Sequence, residues 1–185
     1  MKTKFHKVKG FNRRDLAVKF AEMGLNKGAE IGVRTGFYSE VLCKANPDLH
    51  LLSVDPYDVV YGDYRSNSVG YEQTRKFFEE AKKRLAPYNC EIIEKESIDA
   101  VRDVPYESLD FVYIDGSHEL DWVMVDIIEW GKRIRKGGII SGHDYYRFRV
   151  GNVTDAVDVY TYAHKVKDVY LTDERMASFW FEKTW

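Results

Sequence analysis

Short apolar runs alternate along this chain with stretches in which apolar residues recur every three to four positions. In "NRRDLAVKFAEMG", Leu16, Ala17, Phe20 and Ala21 fall on one helical face, Asn12 and Asp15 have capping-box spacing, and Gly24 is a stop. "AEIGV" (29–33) is a short apolar run ending at glycine, and "GFYSEVLCKANP" then carries Val41 and Leu42 on a helical face before Pro47. The alternation repeats with a strand at "LLSVD" (51–55), a polar and aromatic insert to about Gly70, and a helix whose Phe77, Phe78, Ala81 and Leu85 share a face. "CEIIEKE" (90–96) and "LDFVYID" (109–115) are the third and fourth strands. A helix with Leu120, Val123, Ile127 and Ile134 facing inward follows, and "GGIISGHD" (137–144) is the fifth strand.

Strands alternating with helices predict right-handed crossovers and a parallel sheet with helices on both faces. The ending differs. After a helix around Asn152 to His164, "KDVYLT" and "SFWFEK" are separated only by "DERMA", too short for a helical crossover and suited to an antiparallel hairpin. No internal repeat or linker divides the chain, so 1–185 is expected to be one domain, and its 44% apolar content is enough for a real core.

Charge narrows the partners. With 28 basic and 30 acidic residues, no net field draws the whole chain to nucleic acid or to an anionic membrane. The basic start, "MKTKFHKVKGFNRR", leads into no apolar segment and reads as a short solvated arm, and no run approaches the length of a membrane span. Cys43 and Cys90 form no CxxC and no disulfide framework, which fits a soluble protein of a reducing cytoplasm. An oligomer is compatible with all of this.

In an open doubly wound sheet, ligands bind beyond the carboxyl ends of the strands. The residues found there are Glu30 to Gly36 ("EIGVRTG"), Asp55, Glu96-Ser97, Asp115 to His118 and His143-Asp144. Glycines in the first turn let backbone approach a ligand, and Glu30 either orients that turn or receives an ammonium. An acid after the second strand can accept hydrogen bonds from both hydroxyls of a ribose. Each feature alone is also an ordinary strand-ending turn; together they mark a ligand cleft. Tyr57, Tyr61, Tyr64 and the stretch "HDYYRFRVGN" (143–152) flank it, either as a lid or as packing on the sheet edge.

As a set, "EIGV..G", "VDPY", "YIDGSH" and "GGIISGHDY" resemble the class I S-adenosylmethionine-dependent methyltransferases, and more distantly the catechol-type O-methyltransferases. The resemblance covers almost the whole chain. It implies a Rossmann-like three-layer α/β/α sandwich with a seven-stranded, mostly parallel sheet in the order 3-2-1-4-5-7-6, ending in an antiparallel hairpin. It further implies that Glu30, Gly32 and Gly36 surround the methionine part of S-adenosylmethionine, Asp55 holds the ribose, Ser97 borders the adenine and Asp115 positions the cofactor. Arg34 stands where many relatives have glycine.

In the catechol-type enzymes an acid ending the fourth strand and an acid–amide pair after the fifth bind magnesium, and a base follows the first acid by three residues. Asp115, Asp144 and His118 match those positions, which implies a divalent metal such as Mg2+ on Asp115 and Asp144 and proton removal by His118. Tyr145 replaces the amide, and neutral tyrosine is a poor magnesium ligand. His143 is the second candidate for base or relay. The expected activity is methyl transfer to a small-molecule hydroxyl of a sugar or phenol. A nicotinamide-dependent oxidoreductase is the alternative enzyme, disfavoured by the missing GxGxxG, and a non-catalytic S-adenosylmethionine-binding module is the alternative without turnover.

Overall fold

The computed structural model describes residues 2–57, 70–147 and 152–185. Tyr61, Tyr64 and 148–151 of the expected flanking segments lie outside the described residues.

The strands are β1 (Lys4–Lys7), β2 (Lys27–Ile31), β3 (His50–Val54), β4 (Cys90–Ile93), β5 (Leu109–Ile114), β6 (Ile134–Tyr145), β7 (Asp168–Leu171) and β8 (Ala177–Glu182). The helices are α1 (Arg13–Glu22), α2 (Phe37–Ala45), α3 (Tyr71–Leu85), the short α4 (Ser97–Ala100), α5 (Leu120–Gly131) and α6 (Val153–Ala163). One sheet holds all eight strands in the order β1-β7-β8-β6-β5-β2-β3-β4. β8 is antiparallel to both β6 and β7, and the other pairs are parallel. From β2 onward this is the expected seven-stranded order with its terminal hairpin.

The eighth strand is the difference. The basic start predicted to be a solvated arm instead forms β1, which pairs with β7 from Lys4↔Asp168 to Lys7↔Leu171. All four of its residues are exposed, so it carries no apolar alternation to reveal it. Backbone pairing, the Phe5–Tyr145 ring stack at 5.5 Å and the His6–Asp168 contact at 2.7 Å hold it instead.

Ile134 also departs from expectation. It begins β6 rather than completing a helical face, because α5 stops at Gly131 with Lys132 as its cap. Leu120, expected inward, is 37% exposed in the first turn. At the start of α1 the capping box forms as predicted: Arg14 N donates to the Asn12 side chain and Asn12 N donates to Asp15, both at 2.8 Å.

Both sheet faces are covered. Phe111 and Tyr113 of β5 pack with Leu16, Phe20, Tyr38 and Leu42, whereas Val112 and Ile114 pack with Val123, Ile127, Trp130 and Val157. That two-sided burial is why "LDFVYI" reads as an unbroken apolar run. It also dictates Gly28, since a Cβ there would meet the Phe111 ring at 2.2 Å. With the sheet so packed, the carboxyl ends of the central strands are bonded to one another. Asp115 N donates to Ile31 O at 2.7 Å, Gly32 N to Val54 O at 2.9 Å and Asp55 N to Ile93 O at 3.1 Å.

Candidate active site

The loop joining β2 to α2 turns through three left-handed residues, Gly32 (φ 90°), Arg34 (φ 53°) and Gly36 (φ 74°). A side chain at Gly32 is barred twice, because its Cβ would lie 2.3 Å from the Asp115 carbonyl oxygen. Arg34 keeps a left-handed backbone without being glycine, and its guanidinium lies over Phe77 at 5.0 Å. The loop is clamped by Asp55. One oxygen of that buried carboxylate accepts Val33 N at 2.9 Å and Arg34 N at 2.8 Å, and the other accepts Tyr57 N at 3.3 Å.

Glu30 lies behind the loop, 1% exposed. Its carboxyl accepts the Ser39 hydroxyl, and Ser39 continues to Ser53 (3.0 Å) and on to Cys90 (3.2 Å). Burial pushes Glu30 well above the usual carboxylate range, against the Ser39 bond, and the residue belongs to a polar chain linking β2, α2, β3 and β4. Ser97 is likewise turned away from the 32–36 loop. Its hydroxyl donates to Asp126 and accepts Trp130 Nε1 at 2.8 Å, fastening α4 to α5.

The structure does bring Asp115, His118, His143 and Asp144 together. His118 Nε2 lies 2.7 Å from Asp144 Oδ2, and His143 Nδ1 lies 3.3 Å from the same oxygen and 3.6 Å from Asp115 Oδ1. Asp144 adopts φ 56°, a left-handed backbone uncommon for a non-glycine residue, which aims its carboxylate between the two imidazoles. Burial pushes the Asp115 carboxyl up to about 6, against the opposing charge of His143. Burial acts upward on Asp144 too, but the bonds from His118 and His143 outweigh it and hold this carboxyl below the usual range. For His143, burial pulls downward while Asp144 and Asp115 pull upward and prevail.

Arg13, which the sequence places at the start of a helix and at the end of the basic stretch expected to be solvated, belongs to this site. Its Nη1 lies 3.8 Å from Asp115 Oδ2, and its guanidinium lies over the rings of Tyr38 (5.3 Å) and Phe37 (5.8 Å). A usable signal was present: a helix that precedes the first central strand must start at that strand's carboxyl end, where the cleft is.

Asp115, His118 and Asp144 can each offer one ligand atom, all within 4.8 Å of one another. That spacing suits a cation, but the donor chemistry does not fit magnesium, which favours oxygen ligands in a near-octahedral set. The third donor is an imidazole, and Tyr145, at the position of the amide ligand, donates its hydroxyl to Asp158 at 2.7 Å.

A family model described as a methyltransferase domain matches residues 29–145, well over half of the chain. The chain therefore belongs to the methyltransferase domain family, as a class I S-adenosylmethionine-dependent methyltransferase. No curated protein matches it. Among solved structures, it resembles an O-methyltransferase from Bacillus cereus in complex with SAH (15% identity, TM-score 0.66), covering 92% of this chain and 80% of that one. A second is the O-methyltransferase TomG from Streptomyces achromogenes, involved in tomaymycin synthesis and in complex with SAM (17%, 0.66), covering 94% and 80%. A candidate rRNA methylase from Clostridium thermocellum (13%, 0.68) covers 95% of this chain and is itself covered in full. At these identities the likeness is one of fold. Among the described residues no helix is long and apolar enough to cross a membrane.

The Ser97–Asp126 contact yields a pH signature. Burial pushes Asp126 from 3.8 up to about 6, with the Ser97 bond opposing. A carboxyl raised in the folded state binds more protons folded than unfolded across that window, so its contribution to stability is lost as pH rises through it. The displacement corresponds to roughly 3 kcal/mol. Urea unfolding should therefore show Asp126→Asn gaining stability over the native chain by roughly that amount between about pH 4 and pH 7.5. A difference that does not change with pH would contradict it.

Proposed function

We propose that this chain binds S-adenosylmethionine over the 32–36 loop and transfers its methyl group to a hydroxyl of a small molecule, a sugar or a phenol, with His118 as general base. The observation carrying the reading is the His118–Asp144 pair at 2.7 Å, set beside Asp115 at the adjoining ends of β5 and β6. The O-methyltransferase neighbours support the choice of oxygen as acceptor atom.

Each cleft residue has a role in this reading. Gly32 and Gly36 let the loop backbone approach the methionine part of the cofactor, and Glu30 braces the loop from beneath through Ser39. Asp55 clamps the loop and accepts from the ribose hydroxyls, so one carboxylate couples loop shape to cofactor binding. Ser97 sets the adenine border by fixing α4 against α5, and Asp115 lines the floor beneath the reacting groups.

In the transfer step the acceptor oxygen attacks the sulfonium methyl carbon in line. The carbon–sulfur bond breaks with its electron pair moving to sulfur, and S-adenosylhomocysteine leaves. The acceptor proton must go to a base. When His118 donates Nε2–H to Asp144, its tautomer is fixed and Nδ1 becomes the nitrogen that takes the proton, with the resulting imidazolium stabilised by the carboxylate. His143 is the less suited base. Its side chain is 15% exposed against 44% for His118, and its raised pKa favours the protonated form, which suits a relay or a fixed positive charge.

Two measurements test the proposal. Calorimetry with S-adenosylhomocysteine should show binding that weakens at least about tenfold in Asp55→Ala, given roughly 1.5–3 kcal/mol for each charged hydrogen bond lost; unchanged affinity would remove Asp55 from the site. Methyl transfer from labelled S-adenosylmethionine to a panel of sugars and phenols should fall by a factor on the order of 10² to 10⁴ in His118→Ala, the usual worth of a general base. Loss of turnover in His143→Ala alone would assign the base to the other imidazole, and full turnover in both variants would end histidine base catalysis as the mechanism.

A further inference from the structure

The two strand-end carboxylates already have cationic partners drawn from the protein. Asp144 faces both imidazoles, while Asp115 faces His143 on one oxygen and Arg13 on the other. Arg13 is the permanently charged member, since a guanidinium stays protonated at any working pH.

Its placement is built rather than incidental. The capping box on Asn12 and Asp15 sets the first turn of α1. The backbone of Arg13 is then pinned at both ends: its N–H donates to Glu174 at 2.9 Å, and its carbonyl accepts the Tyr38 hydroxyl at 3.0 Å. Its side chain runs past the rings of Phe37 and Tyr38 to reach Asp115. A divalent ion seated on Asp115 would meet this fixed positive charge beside one of its own ligands, and like charges at such range repel.

We propose that Arg13 supplies from within the chain, beside Asp115, the positive charge that a metal would supply there, so that methyl transfer at this site needs no divalent ion. Arg13 is then a positioning residue: it holds Asp115 in place and keeps the floor of the cleft close to electroneutral. This inference rests on the methyl-transfer reading of the cleft.

The test uses the whole protein saturated with S-adenosylhomocysteine and reads Mn2+ binding by electron paramagnetic resonance and calorimetry. The native chain should show no saturable Mn2+ binding at millimolar concentration. Arg13→Met, which removes the charge and keeps an unbranched chain, should bind Mn2+ at least about tenfold more tightly, because Asp115 loses a competing cation. Arg13→Lys should stay as weak as the native chain. A merely structural role for Arg13 would not tighten metal binding. One-to-one Mn2+ binding by the native chain at micromolar concentration would overturn the inference, and so would unchanged affinity in a folded Arg13→Met. The native-chain titration decides the matter even where the variant does not fold. Failure of S-adenosylhomocysteine to bind is recorded in the same samples and counts against the methyl-transfer reading itself, leaving the Mn2+ comparison legible on its own.

Discussion

The cleft depends on the clamp that Asp55 places on the loop after β2. Arg34 is held in a left-handed conformation between two left-handed glycines, and a single buried carboxylate accepting two consecutive backbone N–H groups fixes the loop. Gly32 presses against the end of β5 so closely that no side chain fits, so the clamped loop also sets where Asp115 sits. The chain Glu30–Ser39–Ser53 supports the loop from below, with the Glu30 carboxyl buried and bonded to Ser39. Loop, strand end and acidic floor therefore form one mechanical unit, and a change at Asp55 or Gly32 reaches Asp115 through it.

Electrostatics explains the rest of the arrangement. Two carboxylates crowded at adjoining strand ends repel, and a low-dielectric setting makes that repulsion costly. The protein offsets it with Arg13 from α1 and with imidazoles from the β5–α5 turn and from β6. Asp115 and Asp144 consequently differ: the first is raised by burial, and the second is held low by its hydrogen bonds. Neighbouring groups with divided character are what proton transfer requires.

Much of this was legible beforehand. "LDFVYID" and "GGIISGHD" declare central strands because both of their faces are buried, and the closely spaced runs at the end declare a hairpin. The placement of acids and histidines at strand ends followed from the alternation alone, and Asp115, His118, His143 and Asp144 do converge. What escaped has physical reasons. β1 is held by backbone pairing at an edge and shows no apolar period. Ile134 suits a helical face and a strand start equally well until the end of α5 is known. For Glu30 and Ser97 the sequence indicates the strand end but not the side-chain direction, and both turn into protein. Arg13 lies far in sequence from its partner, so only the fold reveals the contact.

Amide hydrogen exchange with and without S-adenosylhomocysteine addresses the shared cleft as a whole. Slowed exchange is expected in 32–36, 55–57 and 115–118, with the far ends of α5 and α6 unchanged, since those three segments are joined at the carboxyl edge of the sheet. Protection confined to any other surface, or no change in these three segments at saturating ligand, would contradict a single clamped cleft.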